Sequence, residues 1–252
     1  MPLKALIFDV DGTLANTERD GHLVAFNLAF KELGLNWIWS SELYQKLLEV
    51  TGGQLRIKHY ISKYQPDFKE NLDDFAAEAH RLKTSIYVDL VSSEKIPLRP
   101  GVQRLLLDAK AAGLRLAIAT TTTLANVNAL IINTLGHQAL GWFEVIGAGN
   151  VVENLKPAGD IYAWVLAKMS LPAEDCMAFE DSNNGLVSAL AVNLPTLITV
   201  NEYTKTHKFA GSLAVLDNLG EPDAPFELIS GAPTEAKYVD INYLKELYEK
   251  YY

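Results

Sequence analysis

Hydrophobic positions follow two rhythms along the chain. A short apolar run, Ala5-Leu6-Ile7-Phe8, stops at Asp9 and predicts a strand buried on both faces. From about Thr17 to Ser92 the rhythm is helical. Val24, Leu28 and Ala29 recur at helical spacing, as do Leu43, Leu47 and Leu48, and later Phe75, Ala79 and Leu82. Trp37 and Trp39 fall inside this block and are expected to pack its interior. Pro97 and Pro100-Gly101 then interrupt the pattern. Beyond them helices predicted over 102–112, 124–135, 158–169 and 184–192 alternate with strands over 114–119, 143–146, 176–179 and 196–200.

This alternation predicts a doubly wound, Rossmann-like α/β core with a parallel sheet and right-handed crossovers. The helical block interrupts the core after its first strand. The expected division is a core domain of residues 1–16 and 93–252 and an inserted small α-helical cap domain of residues 17–92. The junctions near 15–17 and 92–97 are the expected hinges. After Asn201 the pattern loosens, and Pro222, Pro225 and Pro233 mark loops. A closing stripe of Ile241, Leu244, Tyr248 and Tyr251 is expected to dock on the core.

Composition narrows the function classes. The chain has 252 residues, 49% hydrophobic and 21% charged, enough to bury a large core without disulfides. Its single cysteine, Cys176, excludes an intrachain disulfide and a cysteine zinc cluster, and is expected to be a small buried hydrophobe. The net charge of −9 argues against a nucleic-acid-binding surface. It leaves room for a small anionic substrate, which responds to the local field. Residues 116–136 carry no charge, yet Thr120 to Thr123, Asn126, Asn128 and Asn133 make them too polar for a membrane span. No Lys/Arg-led apolar leader precedes Leu3. The expectation is a soluble cytoplasmic monomer with no membrane or nucleic-acid partner.

Ligands of a doubly wound sheet bind beyond the carboxyl ends of its strands. The first strand is followed by Asp9-Val10-Asp11-Gly12-Thr13-Leu14, the second by Thr120, Thr121 and Thr122. The third leads to Lys156-Pro157 and the fourth to Glu180-Asp181-Ser182. Clustered carboxylates repel one another and raise their own pKa values, a cost that a hard divalent cation such as Mg²⁺ removes. Lys156 adds a fixed positive charge for an anion. Gly12, Thr121 and Thr122 offer amides and hydroxyls to phosphate oxygens. Asp9 is placed to attack phosphorus, and Asp11 to reach the leaving oxygen.

In order, placement and spacing, these segments resemble the four motifs of the haloacid-dehalogenase-like superfamily. The resemblance spans nearly the whole chain, and the helical block matches that superfamily's small α-helical cap. It implies that Asp9 is the nucleophile and forms an aspartyl-phosphate, that Asp11 is the general acid and then the base, and that Thr120 and Lys156 hold the transferring phosphoryl group. It implies Mg²⁺ held by Asp9, the backbone carbonyl of Asp11, Glu180 and Asp181. Gly159 departs from the proline that relatives often carry after Lys156-Pro157.

Thr17-Glu18-Arg19-Asp20-Gly21-His22, Trp37-x-Trp39, Thr51-Gly52-Gly53 with Arg56, His80-x-x-Lys83-Thr84 and the four threonines after Ala119 are similar to the CbbY group. That group includes phosphatases of xylulose 1,5-bisphosphate, a by-product that inhibits carbon fixation. The resemblance implies such a sugar bisphosphate as substrate, with a mutase of the β-phosphoglucomutase type as the alternative and a catalytically silent binding protein as the outsider. A distal phosphate needs its own cations. Arg56, after the Gly52-Gly53 turn, is suited to grip one, unless it is a solvated surface charge. Lys83 is a second candidate or a plain helix-surface lysine. Glu18 and His22 are placed to bind sugar hydroxyls, unless His22 is a satisfied hinge histidine. His59, His137 and His207 have no matched partners and receive no role.

Overall fold

The structure is a computed structural model that describes residues 3–93 and 96–251. A seven-stranded sheet runs through it in the order β3-β2-β1-β4-β5-β6-β7. The strands are β1 (Ala5–Phe8), β2 (Arg115–Ala119), β3 (Phe143–Gly147), β4 (Cys176–Glu180), β5 (Thr196–Thr199), β6 (Ala214–Leu216) and β7 (Leu228–Gly231). All neighbours are parallel except β6 and β7. The strand order reverses between β1 and β4, the position where a doubly wound sheet opens a crevice for ligands.

Alternation along β1 sends its side chains to both faces. Leu6 and Phe8 join a core layer shared with α5 (Val102–Ala111), α6 (Leu124–Leu135) and α9 (Ile241–Tyr251). Ala5 and Ile7 face the opposite layer, where α7 (Asp160–Met169) and α8 (Asn183–Leu190) supply Ile161, Val165 and Ala189. Phe8 stacks on Phe179 of β4, with ring centroids 4.4 Å apart, directly beneath the strand ends. Cys176 is buried in the second layer as expected, and burial pushes its thiol up to about 12.

The helical block contains α1 (Val24–Glu32), α2 (Ser41–Leu47), α3 (Gly53–Tyr64) and α4 (Leu72–Ser93). They close around Phe26, Phe30, Trp37, Trp39, Tyr44 and Tyr60. Trp39 is pinned to α1 by a reciprocal pair: its N–H donates to Asn27 Oδ1 at 2.8 Å, and its carbonyl accepts from Nδ2 at 3.0 Å. The tryptophans are interior packing, as the sequence predicts.

Most predicted elements lie within one or two residues of the observed ones. The tail differs more. β6 and β7 were not anticipated, because β6 has only three residues and β7 is mostly exposed and forms no apolar run. α9 docks on the core as expected: Leu244 and Tyr248 are buried and Ile241 packs against the same cluster, joined by Tyr243 and Leu247, while Tyr251 is exposed. Tyr243 stacks on Phe226 at 5.7 Å. Of the expected hinge at 92–97, Glu94 and Lys95 lie outside the described residues. Among the described residues, no helix is long and apolar enough to cross a membrane.

Candidate active site

Asp9 leaves β1, and Glu180 and Asp181 leave the adjacent β4, so the fold delivers all three carboxylates to one point. Single carboxylate oxygens of the three lie within 4.8 Å of one another, and all three residues are buried. Lys156 Nζ donates to Asp9 Oδ1 at 2.7 Å, Glu180 Oε1 at 2.6 Å and the Ala119 carbonyl at 2.9 Å, which uses its three protons. Burial opposes the ammonium charge, but Asp9 and Glu180 outweigh it and hold Lys156 above the usual lysine range. Tyr162 of α7 adds an O–H donated to Glu180 Oε1 at 2.6 Å.

One lysine does not balance three buried carboxylates. Burial, with repulsion from Glu180 and Asp11, lifts Asp9 to about 8 against the pull of Lys156. Asp181 is held well above the ordinary range by burial and by Asp9 and Glu180, against Arg99 and a hydrogen bond from Asn201. A small hard cation with oxygen ligands fits this donor set and relieves its repulsion. Two glycines make room for the cluster. A Cβ on Gly185 would overlap the Glu180 carboxylate, and one on Gly12, where φ is +85°, would collide with Asp181.

Asp11 turns away from the cluster. Its Oδ1 accepts from Thr17 Oγ1 at 2.5 Å and meets His22 Nε2 at 2.9 Å. A π-helical turn, Glu18–Leu23, brings His22 to this position. Lys83 Nζ lies 2.7 Å from His22 Nδ1. An ammonium only donates, so Nδ1 accepts and Nε2 carries the proton offered to Asp11. Burial works against the Asp11 carboxylate, but His22, Thr17 and Lys83 outweigh it and hold its pKa below the ordinary range. Burial lowers Lys83 to about 8 against the attraction of Asp11 and Glu18. The rings of Phe26 and Tyr87 flank its ammonium at 4.8 and 5.2 Å.

Arg56 is buried and not a solvated surface charge. Its Nε donates to the Leu47 carbonyl at 3.2 Å and a terminal nitrogen to the Tyr44 hydroxyl at 3.0 Å. The same hydroxyl donates to Glu18 Oε2 at 2.5 Å. Lys83 is likewise buried on the inner face of α4 and is not a plain surface lysine.

Two joined cavities separate these groups. The larger, about 680 Å³, is lined by Asp9, Asp11, Glu18, Arg56, Thr120, Thr121, Lys156 and Asp181. The smaller, about 230 Å³, is lined by His22, Gly52, Gly53, Arg56, Lys83, Thr121 and Thr122. The structure thus brings the expected site residues together, apart from Gly12. Glu180 belongs to the carboxylate cluster with Asp9 and Asp181 but lines neither cavity, bonded as it is to Lys156 and Tyr162. Gly12 faces neither cavity, and its N–H donates to the Ala15 carbonyl at 2.8 Å, so it spaces the loop instead of cradling an oxygen.

The sequence reading missed Tyr44, Tyr162, Asn201 and Arg99. Tyr162 follows Lys156 by six residues on a predicted helix, which was the available signal. Arg99 is buried behind the Asp9–Thr13 loop and donates to the Gly12 carbonyl. It also donates to the carbonyls of Thr199 at 2.9 Å, Val200 at 2.5 Å and Asp217 at 2.6 Å. It gave no signal, because its partners come from chain segments 87 to 118 residues away.

A crevice of strand-end carboxylates around a lysine, faced by a helical block, defines a known class. A model of the haloacid dehalogenase-like hydrolases matches residues 3–193, and the chain belongs to that family. Within it the chain groups with the CbbY proteins. It is 45% identical over 229 residues to the plasmid-encoded CbbY of Cupriavidus necator, covering 88% of each chain. It is 48% identical over 217 residues to CbbY of Rhodobacter capsulatus, covering 84% of this chain and 92% of that one. The crystal structure of CbbY from Rhodobacter sphaeroides in complex with phosphate superposes with a TM-score of 0.81 at 42% identity, over 86% of this chain and 94% of that one. A mutant of that protein in complex with xylulose-(1,5)bisphosphate gives the same score.

Proposed function

We propose that the protein is a Mg²⁺-dependent phosphatase of sugar bisphosphates that works through a phosphoryl group carried on Asp9, with xylulose 1,5-bisphosphate as substrate. The observation that carries this reading is the placement of cations at both ends of the joined cavities. Lys156 stands beside Asp9 at one end, and Arg56 and Lys83 stand at the other. A ligand with two separated phosphates matches that charge pattern.

Asp9 gives Oδ1 to Lys156, which leaves Oδ2 to attack phosphorus as the bond to the sugar oxygen breaks. Asp11 delivers a proton to that oxygen, since an approaching phosphate dianion raises the affinity of Asp11 for a proton. Water then attacks the phosphorus as Asp11 takes a proton from it, the bond from Asp9 to phosphorus breaks, and inorganic phosphate leaves. Thr120 and Lys156 hold the phosphoryl oxygens, and Thr121 and Thr122 offer hydroxyls beside them. Asp9, Glu180, Asp181 and the Asp11 backbone carbonyl would hold Mg²⁺, which when bound offsets the carboxylate charge and that of the phosphoryl oxygens. Residues 17–92 serve as a cap that opens for substrate and closes for chemistry, with Glu18 and His22 near the sugar hydroxyls.

The test is phosphate release from xylulose 1,5-bisphosphate, ribulose 1,5-bisphosphate, β-glucose 1-phosphate and 4-nitrophenyl phosphate, with Mg²⁺ and with EDTA. A Mg²⁺-dependent preference for the first is expected. Flat release across the panel would remove the substrate assignment, and glucose 6-phosphate made from the third would favour a mutase.

A further inference from the structure

The stretch after β5 lies beyond the residues covered by the family model, yet it walls the larger cavity through Asn201, Tyr203, Thr204 and His207. Asn201 Nδ2 donates to Asp181 Oδ2 at 2.6 Å, and Asn201 Oδ1 accepts the Tyr203 N–H at 2.9 Å. Tyr203 itself leaves the sheet. It is 5% exposed, and its ring sits in the aromatic cluster of the helical block, edge-on to Tyr44 at 6.0 Å. Its hydroxyl pairs with Ser41 Oγ at 3.1 Å, and its carbonyl accepts from Gln45 Nε2 at 3.3 Å.

All three contacts fall on α2. That helix carries the Tyr44 hydroxyl, which links Glu18 to Arg56. Three consecutive residues of the core therefore run from an acidic-cluster carboxylate to the side chains that face the far end of the ligand. Among the described residues, Tyr203 is the one buried member of this cluster that comes from outside the helical block.

The geometry points to Tyr203 as a specificity-determining positioning residue. It sets the distance between the acidic end and the Tyr44–Glu18–Arg56 group, and so favours a sugar carrying a second phosphate over a monophosphate. This rests on the phosphatase reading and adds to it a contribution of the core to substrate choice. The physical reason is the shared hydroxyl. A shift of α2 moves Tyr44, and with it the hydroxyl that accepts from Arg56 and donates to Glu18. Misplacement of about 1 Å is enough to cost large factors in turnover. An aryl monophosphate places its phosphate at Lys156 and has no group for Arg56 to grip.

The experiment compares kcat and KM for xylulose 1,5-bisphosphate and 4-nitrophenyl phosphate in the wild type, Tyr203→Phe and Tyr203→Leu, with melting temperatures. In Tyr203→Leu the ratio of the two kcat/KM values should fall about tenfold or more, the scale of one lost charge-assisted hydrogen bond, mainly through KM. Tyr203→Phe, which keeps the ring against Tyr44, should retain most of the ratio. An unchanged ratio, or equal losses on both substrates, would make Tyr203 a packing residue and overturn the inference. If Tyr203→Leu does not fold, Gln45→Leu removes one α2 contact and must lower the ratio in the same direction. A wild type that releases phosphate from neither substrate sinks the phosphatase reading itself, a distinct outcome.

Discussion

The two ends of the cavity handle charge in opposite ways. At the acidic end, opposite charges meet directly: Lys156 spends every proton on Asp9, Glu180 and one carbonyl. At the helical end, Arg56 and Lys83 bond to neutral groups, a hydroxyl, a carbonyl and an imidazole nitrogen, with aromatic rings around them. The first arrangement is built from the strand ends of β1, β2 and β4, from Tyr162 of α7 and from the turn that carries Lys156 ahead of α7. The second leaves positive charge uncancelled by direct contact, held ready for an anion. Under the proposed function, chemistry falls to the sheet edge, and recognition to helices tied together by rings and hydroxyls.

The comparison breaks most sharply at Asp9. Asp9→Asn should lower kcat by about 10⁴-fold or more, since a nucleophile acts as part of a unit. Its melting temperature should hold or rise, because burial already disfavours the charged carboxylate. A thermal melt beside single-turnover kinetics checks both. Arg56→Ala addresses the other end. It should raise KM for the bisphosphate by roughly ten- to 150-fold and do much less to a monophosphate, the worth of a charge-assisted hydrogen bond. Equal increases on both would show that Arg56 does not read the distal phosphate.

The smallest effect sharpens the contrast through pH. Lys83 titrates near 8, lowered by burial, so its ammonium is lost as pH rises through that value. KM for the bisphosphate should therefore climb between pH 7 and 9 by up to about tenfold, the fall in the charged fraction. Lys83→Arg, whose charge does not titrate there, should flatten that rise. A profile as steep in Lys83→Arg as in the wild type would assign the pH dependence to another group.

The legible part of the molecule was the part with short-range signals. Buried runs such as Ala5–Phe8, each ending in a charged or hydroxyl residue, announce strands and their active ends together. That is why Asp9, Thr120 and Asp181 could be located at strand ends, whereas Lys156, in a turn beyond β3, needed the resemblance of its Lys156-Pro157 segment to a family motif. The buried cations of the helical block were legible as candidates only, since a sequence does not show whether Arg56 faces water or Tyr44. Tyr203, Asn201 and Arg99 were illegible because their partners are remote in sequence. The π-helical turn that aims His22 at Asp11 has no compositional mark.

Arg99 carries a consequence of a different kind. Four of its bonds go to main-chain oxygens, at Gly12, Thr199, Val200 and Asp217. It therefore senses the path of the backbone and is nearly blind to which residues travel along it. Substitutions at Val200 or Asp217 that preserve that path leave its grip intact, whereas a change of Arg99 itself removes the donor from four main-chain acceptors at once, three of them on buried residues. The tolerance of this neighbourhood to mutation is one-sided: drift is open to the gripped positions and closed to the residue that grips them.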